Sequence, residues 1–150
     1  MLKVVLVEDE PLVRQGLALA VDWASMGCVV AGEAGDGEEG CRVIRETRPD
    51  FVLTDVRMPK MDGIAMIARL REEGCTAEFV ILTAYSDFEY AHSALKLGVT
   101  DYLLKPFEDD SELEAAVDKT RRRLAERVGR AADDPGLFRF DLDKGAKSKY

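Results

Sequence analysis

The chain has 150 residues, which is the length of one ordinary domain and enough to bury roughly 70% of its unfolded surface. Hydrophobic residues make up 47% of the chain and charged residues 33%, as is ordinary for a soluble globular protein. The net charge of -8 argues against direct binding of nucleic acid or an anionic membrane, because neutralising phosphates requires clustered Lys and Arg.

The sequence favours a cytoplasmic location. Apolar stretches fall well short of the roughly 18 residues of a membrane span, and the N-terminal segment reaches acidic residues too early for a signal peptide. Cys28, Cys41 and Cys75 are odd in number and lack C-x-x-C spacing, so we interpret them as thiols in a reducing compartment. We therefore expect a cytoplasmic protein that does not associate with a membrane.

Short apolar runs alternate five times with amphipathic segments, which is the pattern of a parallel sheet with crossover helices on both faces. Helices are predicted after Pro11, after Asp36, after Asp62, at 87–97 and at 112–127, because cap residues precede apolar residues at helical spacing. Strands are predicted at 2–8, 28–33, 51–55, 79–83 and 99–104.

The helical pattern stops near Arg127, and a different composition follows. Residues 128–136 contain the Gly, Asp and Pro that are typical of a linker. Apolar and polar residues alternate at 137–142, which allows one short strand or docking segment. We therefore expect one domain at 1–127, followed by a linker and tail at 128–150.

Four of the predicted strands lead into residues suited to magnesium and phosphoryl chemistry. The first strand delivers Glu8 and Asp9, the third ends in Asp55, the fourth ends in Thr83, and the fifth delivers Lys105. The carboxyl ends of the strands in a doubly wound sheet lie at one edge, where ligands bind. We therefore expect these five side chains to lie together.

Three carboxylates at one edge repel one another, and a hard cation resolves the conflict. Mg²⁺ binds oxygen ligands and usually keeps several waters. Asp9 and Asp55 are candidates for direct ligands, Glu8 is a candidate for a ligand through water, and the backbone carbonyl of Arg57 is a further candidate. With the metal bound, Asp55 is a candidate nucleophile toward phosphorus and would form an aspartyl phosphate.

Lys105 and Thr83 complete the predicted site. Lys105 would pair with the phosphoryl oxygens, and the Thr83 hydroxyl would donate a hydrogen bond to one of them. Taken singly, each residue has an ordinary alternative: residues 8–10 place negative charge before a helix, Asp55 forms a turn, and the other two are a polar strand end and a surface lysine. These alternatives together require coincidences at four strand ends, so we favour a site.

Several short motifs carry a resemblance to a known family. They are Glu8-Asp9, the D-x-x-M-P-x-M-D-G run from Asp55 to Gly63, Leu82-Thr83-Ala84 and Lys105-Pro106. Together they resemble the receiver domain of two-component response regulators, the CheY-like family, over residues 1–127. The resemblance implies a flavodoxin-like α/β fold, a doubly wound five-stranded parallel sheet of strand order 2-1-3-4-5 with helices on both faces.

The resemblance also implies a phosphorylated residue and a metal. A sensor histidine kinase would phosphorylate Asp55, with Mg²⁺ held by Glu8, Asp9 and Asp55. The bond between Lys105 and Pro106 matches the family's cis peptide, which aims the lysine inward. Such a domain catalyses its own phosphorylation and dephosphorylation and is a signalling switch rather than an enzyme.

Thr83 and Tyr102 match the family's switch pair, in which the hydroxyl moves to the phosphoryl group and the aromatic ring turns inward. The surface formed by the fourth helix, the fifth strand and the fifth helix would then change and support a homodimer or a partner. Arg57 and Tyr85 match the positions that border the approach of water to the phosphorylated residue. Two large side chains there predict a long-lived phosphorylated state.

Finer similarities concern the output. Val21-Asp22-Trp23, Arg57-Met58-Pro59 and the run at 82–91 are similar to regulators that carry an AraC-type helix-turn-helix output domain. That domain is missing from this chain, so we expect DNA to be bound only through it. The expected output is transcription.

Two other functional classes share features with the switch. A haloacid-dehalogenase-type phosphatase also uses an aspartyl nucleophile, magnesium, Thr and Lys, but it places the nucleophile in a D-x-D motif after the first strand. The corresponding stretch here is Asp9-Glu10-Pro11. A pseudo-receiver, which serves only as an interaction module, would lack acidic residues that are all present here.

Overall fold

The computed structural model describes residues 1–105 and 110–133 of the chain. Its centre is one five-stranded sheet in which all the neighbouring strands run parallel. The strands are β1 (Leu2–Val7), β2 (Cys28–Ala34), β3 (Phe51–Asp55), β4 (Glu78–Ala84) and β5 (Asp101–Lys105). Their order in the sheet is β2-β1-β3-β4-β5, which confirms the predicted order.

Helices cover both faces of the sheet. One hydrophobic cluster joins it to the helices that carry Leu17 and Leu113, and a second joins it to those that carry Ile44, Ile67 and Ala91. Within the described residues, no helix is both long and apolar enough to span a membrane. The helices are α1 (Pro11–Leu19), α2 (Gly37–Thr47), α3 (Gly63–Glu72), α4 (Phe88–His92) and α5 (Ser111–Asp133).

β1, β3 and β4 carry continuous apolar runs because both faces of the sheet are buried there. In β1, Val4 and Leu6 pack toward α1 and α5, whereas Val5 and Val7 pack toward α2 and α3. None of these four side chains exposes more than 1% of its surface. Burying each one fully contributes about 1.5–3 kcal/mol, so these continuous runs specify central strands.

Two of the predicted helix starts are held by aspartate caps. Asp36 Oδ1 accepts the backbone N–H of Glu39 at 2.8 Å, and Asp62 Oδ1 accepts that of Ala65 at 2.8 Å. Such a cap satisfies a helix donor that has no partner within the helix and contributes about 1 kcal/mol. The predictions of caps at Asp36 and Asp62 are therefore confirmed.

The predicted regular helix at 87–97 is wrong. Only α4 is α-helical there, and 3-10 turns at Tyr85–Asp87 and Ser93–Leu97 flank it. The side chains that α4 and the following turn bury completely are those of Ala91 and Ala94, so little apolar area holds a longer helix against the sheet. Asp87 stands at the cap position but makes no cap hydrogen bond.

The last strand and helix differ in their bounds from the prediction. β5 begins at Asp101 rather than at residue 99. α5 runs to Asp133, so residues 128–133 are helical rather than linker. The apolar pattern ends near Arg127 because the helix leaves the core, and Val128 is 68% exposed. The segments 134–136 and 137–142 lie outside the described residues.

Candidate functional site

The carboxyl ends of β1 and β3 bring three carboxylates together. The two strands pair in parallel with Val7 opposite Thr54, so the residues that follow, Glu8 and Asp55, are neighbours. Glu8, Asp9 and Asp55 each offer a carboxylate oxygen, and these oxygens all lie within 4.8 Å of one another. Glu8 and Asp55 are buried, and Asp9 is half-buried.

Glu8 is the most enclosed of the three carboxylates, with 0% of its surface exposed. Its Oε2 accepts the backbone N–H of Glu10 at 3.0 Å, and its Oε1 lies 3.1 Å from Lys105 Nζ. Burial raises the pKa of Glu8 to about 7, because desolvation and the nearby charge of Asp55 outweigh those two hydrogen bonds. Glu8 therefore holds a proton part of the time near neutral pH.

Lys105 is shared between two carboxylates. The pairing of β4 with β5 sets Ala84 opposite Lys105, which brings the lysine to the edge where β3 ends. Its Nζ lies 3.1 Å from Asp55 Oδ2 and 3.1 Å from Glu8 Oε1. Burial lowers the pKa of Lys105, but the bonds and charges of Asp55 and Glu8 raise it by more, so the ammonium stays charged.

The loop after β3 packs directly against Asp55. Asp55 Oδ1 accepts the N–H of Val56 at 2.7 Å, and the N–H of Gly63 returns to the Val56 carbonyl at 2.8 Å. A side chain at position 63 would collide with the Asp55 carbonyl oxygen, so this close approach requires glycine. With Asp62 capping α3, the Asp62-Gly63 pair of the motif fixes the loop beside the carboxylates.

Thr83 and Tyr102 donate to backbone carbonyls in this structure. The Thr83 hydroxyl is buried and donates to the Ala84 carbonyl at 3.1 Å. The Tyr102 hydroxyl donates to the His92 carbonyl at 3.3 Å, and the two rings stack with centroids 6.1 Å apart. Among the described contacts, neither hydroxyl donates to the carboxylate cluster.

Arg57 makes its contacts on the side of α4. Its Nε lies 3.0 Å from Asp87 Oδ1, its guanidinium carbon lies 4.6 Å from the centre of the Tyr90 ring, and 61% of the side chain is exposed. Among the described contacts, the guanidinium therefore reaches Asp87, just before α4, and Tyr90 on α4, and not the cluster at the ends of β1 and β3. The side chain of Tyr85, and Pro106 with its peptide bond, lie outside the described residues.

Sequence reasoning missed the contacts made by Asp87 and Tyr90. The Tyr90 hydroxyl donates to Asp62 Oδ2 at 2.5 Å. This hydrogen bond raises the pKa of Tyr90, with smaller contributions from burial and from the charge of Asp62, so the hydroxyl remains a donor. The contacts join residues that are 28 and 30 positions apart, and no local sequence pattern reveals them.

The carboxylate cluster suits a hard divalent cation. Glu8, Asp9 and Asp55 offer oxygen ligands at one edge of the sheet, as Mg²⁺ requires. Lys105 supplies a single positive charge to two of these carboxylates, so negative charge remains when all three are ionised. These three residues could therefore hold a magnesium ion.

Comparison with known proteins identifies the family. The family described as "Response regulator receiver domain" matches residues 4–118. The chain belongs to that family. A response regulatory protein of Staphylococcus epidermidis is 36% identical to this receiver domain over 138 residues, which cover 92% of the chain and 54% of that protein.

Two further relatives are described as transcriptional regulatory proteins. YesN of Bacillus subtilis is 36% identical over 126 residues, which cover 82% of this chain and 34% of that protein. HptR of Staphylococcus aureus is 35% identical over 126 residues, which cover 84% of this chain and 49% of that protein. The receiver domain thus spans about half or less of the length of these relatives.

Solved structures share the fold. The REC domain of AraT, a response regulator from Geobacillus stearothermophilus, is similar with a TM-score of 0.77 and 35% identity, covering 84% of this chain and 97% of that one. A Francisella response regulator receiver domain has a TM-score of 0.71 and 29% identity, covering 83% and 99%. The predicted flavodoxin-like α/β fold is confirmed.

Proposed function

We propose that this receiver domain accepts a phosphoryl group on Asp55 from a sensor histidine kinase and thereby switches an output that controls transcription. The observation that carries the proposal is the set of charges around Asp55. Its Oδ2 lies 3.1 Å from Lys105 Nζ, and carboxylate oxygens of Glu8 and Asp9 lie within 4.8 Å. A carboxylate held beside a fixed cation and two further carboxylates suits nucleophilic attack on phosphorus.

In the proposed reaction, an Asp55 oxygen forms a bond to phosphorus as the nitrogen–phosphorus bond of the kinase phosphohistidine breaks. The leaving imidazole nitrogen takes up a proton. Mg²⁺ held by Asp9 and Asp55, by Glu8 through water and by the Arg57 carbonyl would neutralise charge on the phosphoryl oxygens. Lys105 pairs with Asp55 before phosphorylation and would pair with the negatively charged phosphoryl oxygens afterwards.

Thr83 and Tyr102 transmit the change in this proposal. The Thr83 hydroxyl exchanges the Ala84 carbonyl for a phosphoryl oxygen, which is the stronger acceptor because it is charged. The Tyr102 hydroxyl gives up its bond to the His92 carbonyl, which at 3.3 Å is long and therefore weak. The ring then turns inward and alters the surface formed by α4, β5 and α5.

This α4-β5-α5 surface is the proposed site of a homodimer. Three apolar side chains are exposed on or beside it: Phe88 on α4 (41%), Leu95 on the 3-10 turn after α4 (50%) and Leu104 on β5 (39%). We expect phosphorylated protein to dimerise in sedimentation equilibrium, and Leu104→Glu to abolish the dimer. Leu12→Glu, on α1 and equally apolar before substitution, should leave it intact. An unaltered dimer in Leu104→Glu would exclude this surface.

The proposed output is transcription through a DNA-binding domain. The relatives YesN and HptR, described as transcriptional regulatory proteins and longer than this chain, support such an output. We propose an AraC-type helix-turn-helix, on the sequence similarities at 21–23, 57–59 and 82–91. Fusing this receiver to an AraC-type domain should make DNA binding depend on Asp55, as a gel-shift assay with and without phosphorylation would measure.

The deciding experiment is intact mass spectrometry after incubation with acetyl phosphate and Mg²⁺. We expect a gain of one phosphoryl group, lost in Asp55→Asn and kept in Asp118→Asn, whose exposed carboxylate lies on α5. A phosphoryl group added equally to Asp55→Asn would overturn the proposal. In the same preparation, a generic phosphate monoester should release no more than one equivalent of phosphate within the lifetime of the phosphorylated state, because each further release requires hydrolysis of the aspartyl phosphate.

We further propose that residues 1–127 form the receiver domain and contain every residue of this chain that phosphorylation of Asp55 requires. The acidic cluster and Lys105 all lie within this range, and none of their described contacts involves residues beyond it. Deleting 129–150 should leave the phosphorylation yield largely unchanged. A deletion variant that accepts no phosphoryl group would show that the tail belongs to the site.

A further inference from the structure

Four side chains join the loop after β3 to the start of α4, and we call Arg57, Asp62, Asp87 and Tyr90 the clasp. Arg57 Nε lies 3.0 Å from Asp87 Oδ1, and Arg57 Cζ lies 4.6 Å from the Tyr90 ring centre. The Tyr90 hydroxyl donates to Asp62 Oδ2 at 2.5 Å. The loop that follows Asp55 is thus tied at two points to the segment that follows β4.

One residue of the clasp, Asp87, stands at the start of α4 without capping the helix. Asp87 stands at the N-cap position of α4, yet its carboxylate makes no cap hydrogen bond. Asp36 and Asp62, at the same position of α2 and α3, each accept an N–H at 2.8 Å. Their backbones are extended, as a cap requires, whereas Asp87 has φ -104° and ψ 6°. The Asp87 carboxylate thus contacts Arg57 and makes no cap bond to the α4 backbone.

We propose that phosphorylation of Asp55 draws Arg57 from Asp87 to the phosphoryl group, and that the released Asp87 then caps α4. In the unphosphorylated protein, Asp87 and Tyr90 act as positioning residues that hold the guanidinium near the site. The inference rests on the proposed phosphorylation of Asp55. It adds a second route from Asp55 to α4, separate from the route through Thr83 and Tyr102.

The charges favour this exchange. The Arg57 side chain is 61% exposed, and an exposed ion pair or cation–π contact is weak. A phosphoryl group on Asp55 carries about -1.5 to -2 charges and three acceptor oxygens, which a guanidinium binds in a bidentate manner. Arg57 lies only two positions beyond Asp55, on the loop that packs against it. The stronger anion thus forms beside an arginine that is weakly held.

α4 is the element most open to this influence. It has five residues and 3-10 turns flank it. Of the described side chains in α4 and the turn after it, only those of Ala91 and Ala94 are completely buried. A cap satisfies a free backbone donor at the start of the helix and favours continuation of the α-helical turn. Capping by Asp87 would therefore order α4 and shift Phe88, whose ring lies 6.1 Å from that of Tyr102.

Two substitutions at position 87 separate the ion pair from the cap. Asp87→Asn keeps a side chain that caps as well as aspartate but removes the charge that holds Arg57, whereas Asp87→Ala removes both. In unphosphorylated full-length protein, amide hydrogen exchange at 88–97 should slow about fivefold in Asp87→Asn and should not slow in Asp87→Ala. Exchange in Asp87→Asn equal to that of the parent would overturn the inference.

Arg57→Gln and a phosphoryl mimic complete the test. Arg57→Gln should slow exchange at 88–97 without any phosphoryl group, because Asp87 is free. Arg42→Gln, which removes another exposed ion pair, should not. Beryllofluoride with Mg²⁺ should slow the same amides in the parent. It should add little in Asp87→Asn, and a slowing as large as in the parent would contradict the proposed move of Arg57 from Asp87 to the phosphoryl group.

The outcomes also distinguish this inference from the function it rests on. If mass spectrometry shows phosphorylation of Asp55 while Asp87→Asn and Arg57→Gln leave exchange at 88–97 unchanged, the clasp inference fails and the proposed function stands. If Asp55 gains no phosphoryl group, the function fails and the proposed trigger fails with it. Slower exchange in Asp87→Asn would then show only that the clasp restrains α4.

Discussion

Two buried glutamates at opposite ends of the sheet are compensated in different ways. Glu78, at the start of β4, is 0% exposed, and its two oxygens lie 2.7 Å from Arg123 Nε and 2.9 Å from Arg127 Nη2. Glu8, beyond the end of β1, is also 0% exposed but shares the ammonium of Lys105 with a second carboxylate. One end of the sheet has two cations for one carboxylate, and the other has one cation for two.

This difference is the one expected between a structural contact and the proposed phosphorylation site. Around Glu78 each carboxylate oxygen is matched by its own arginine, and the two pairs fix α5 to β4. Around Glu8 the carboxylates outnumber the cation, and burial raises the pKa of Glu8 to about 7. Perturbed carboxylates of this kind mark sites that bind a cation or react. The contacts of Glu78 therefore stabilise the fold, whereas the carboxylates around Glu8 repel one another.

The largest expected effect is on stability at the matched end. Glu78→Gln should lower the free energy of unfolding by about 3 kcal/mol, because a neutral amide cannot replace the two charged contacts that the buried carboxylate makes with Arg123 and Arg127. Urea denaturation at pH 7 measures it. Glu46→Gln, whose exposed carboxylate pairs with Arg42, should cost under about 0.5 kcal/mol. Equal effects of the two substitutions would contradict the comparison.

The second effect is expected at the unmatched end and has the opposite sign. Without divalent cations at pH 8, Glu8→Gln should raise the free energy of unfolding by about 2 kcal/mol. The ionised carboxylate of Glu8 is unfavourable in the folded protein, whereas glutamine is neutral at every pH. Lys105 keeps Asp55 as its partner, 3.1 Å away. Urea denaturation of the parent and the variant measures the difference.

The pH dependence of this difference follows from the raised pKa. Between the ordinary pKa of 4.5 and the folded value of about 7, Glu8 binds more protons in the folded state than in the unfolded state. The parent therefore loses this contribution as the pH rises through that window, and the advantage of Glu8→Gln should grow from pH 4.5 to pH 7. A difference that stays constant with pH would exclude Glu8 as its source.

Much of this architecture could be predicted because local physics dictates it. A central strand of a parallel sheet is apolar throughout, as at Val4–Val7, so the strands stand out in the sequence. Asp36 and Asp62 cap helices through bonds to residues three positions away, and sequence spacing reveals such bonds. The residues that follow the strands necessarily meet at one edge, which brought Asp55 and Glu8 to the same place.

The remaining features depend on contacts between distant segments. Glu78 was outside the predicted strand, and its pair with Arg127 joins residues 49 positions apart. Ser86 has a glutamate three positions on, as Asp36 has, but α4 begins after Asp87, whose carboxylate contacts Arg57, 30 positions earlier. Sequence spacing shows local partners only, so the contact between Asp87 and Arg57 was not predicted.

A third prediction concerns Asp9, the half-buried member of the cluster. Asp9→Ala should weaken Mg²⁺ binding about tenfold or more, because a ligand is lost. The free energy of unfolding without metal should stay level or rise, because one of three repelling carboxylates is removed. Calorimetric titration and urea denaturation measure the two quantities. Glu10→Ala, next in the chain and exposed, is the matched control and should keep both values.

The smallest expected effect is on the lifetime of the phosphorylated state. It tests whether Arg57 contacts the phosphoryl group on Asp55 at the unmatched end. If Arg57 leaves Asp87 to cover the phosphoryl group, it hinders the attacking water, and Arg57→Asn should shorten the lifetime about threefold. Asp87→Asn removes the competing anion and should lengthen it about twofold. The double variant should behave like Arg57→Asn alone, because Asp87 acts only through Arg57. An arginine that stabilised the transition state would instead lengthen the lifetime when removed, and additive effects would show that the two residues act independently.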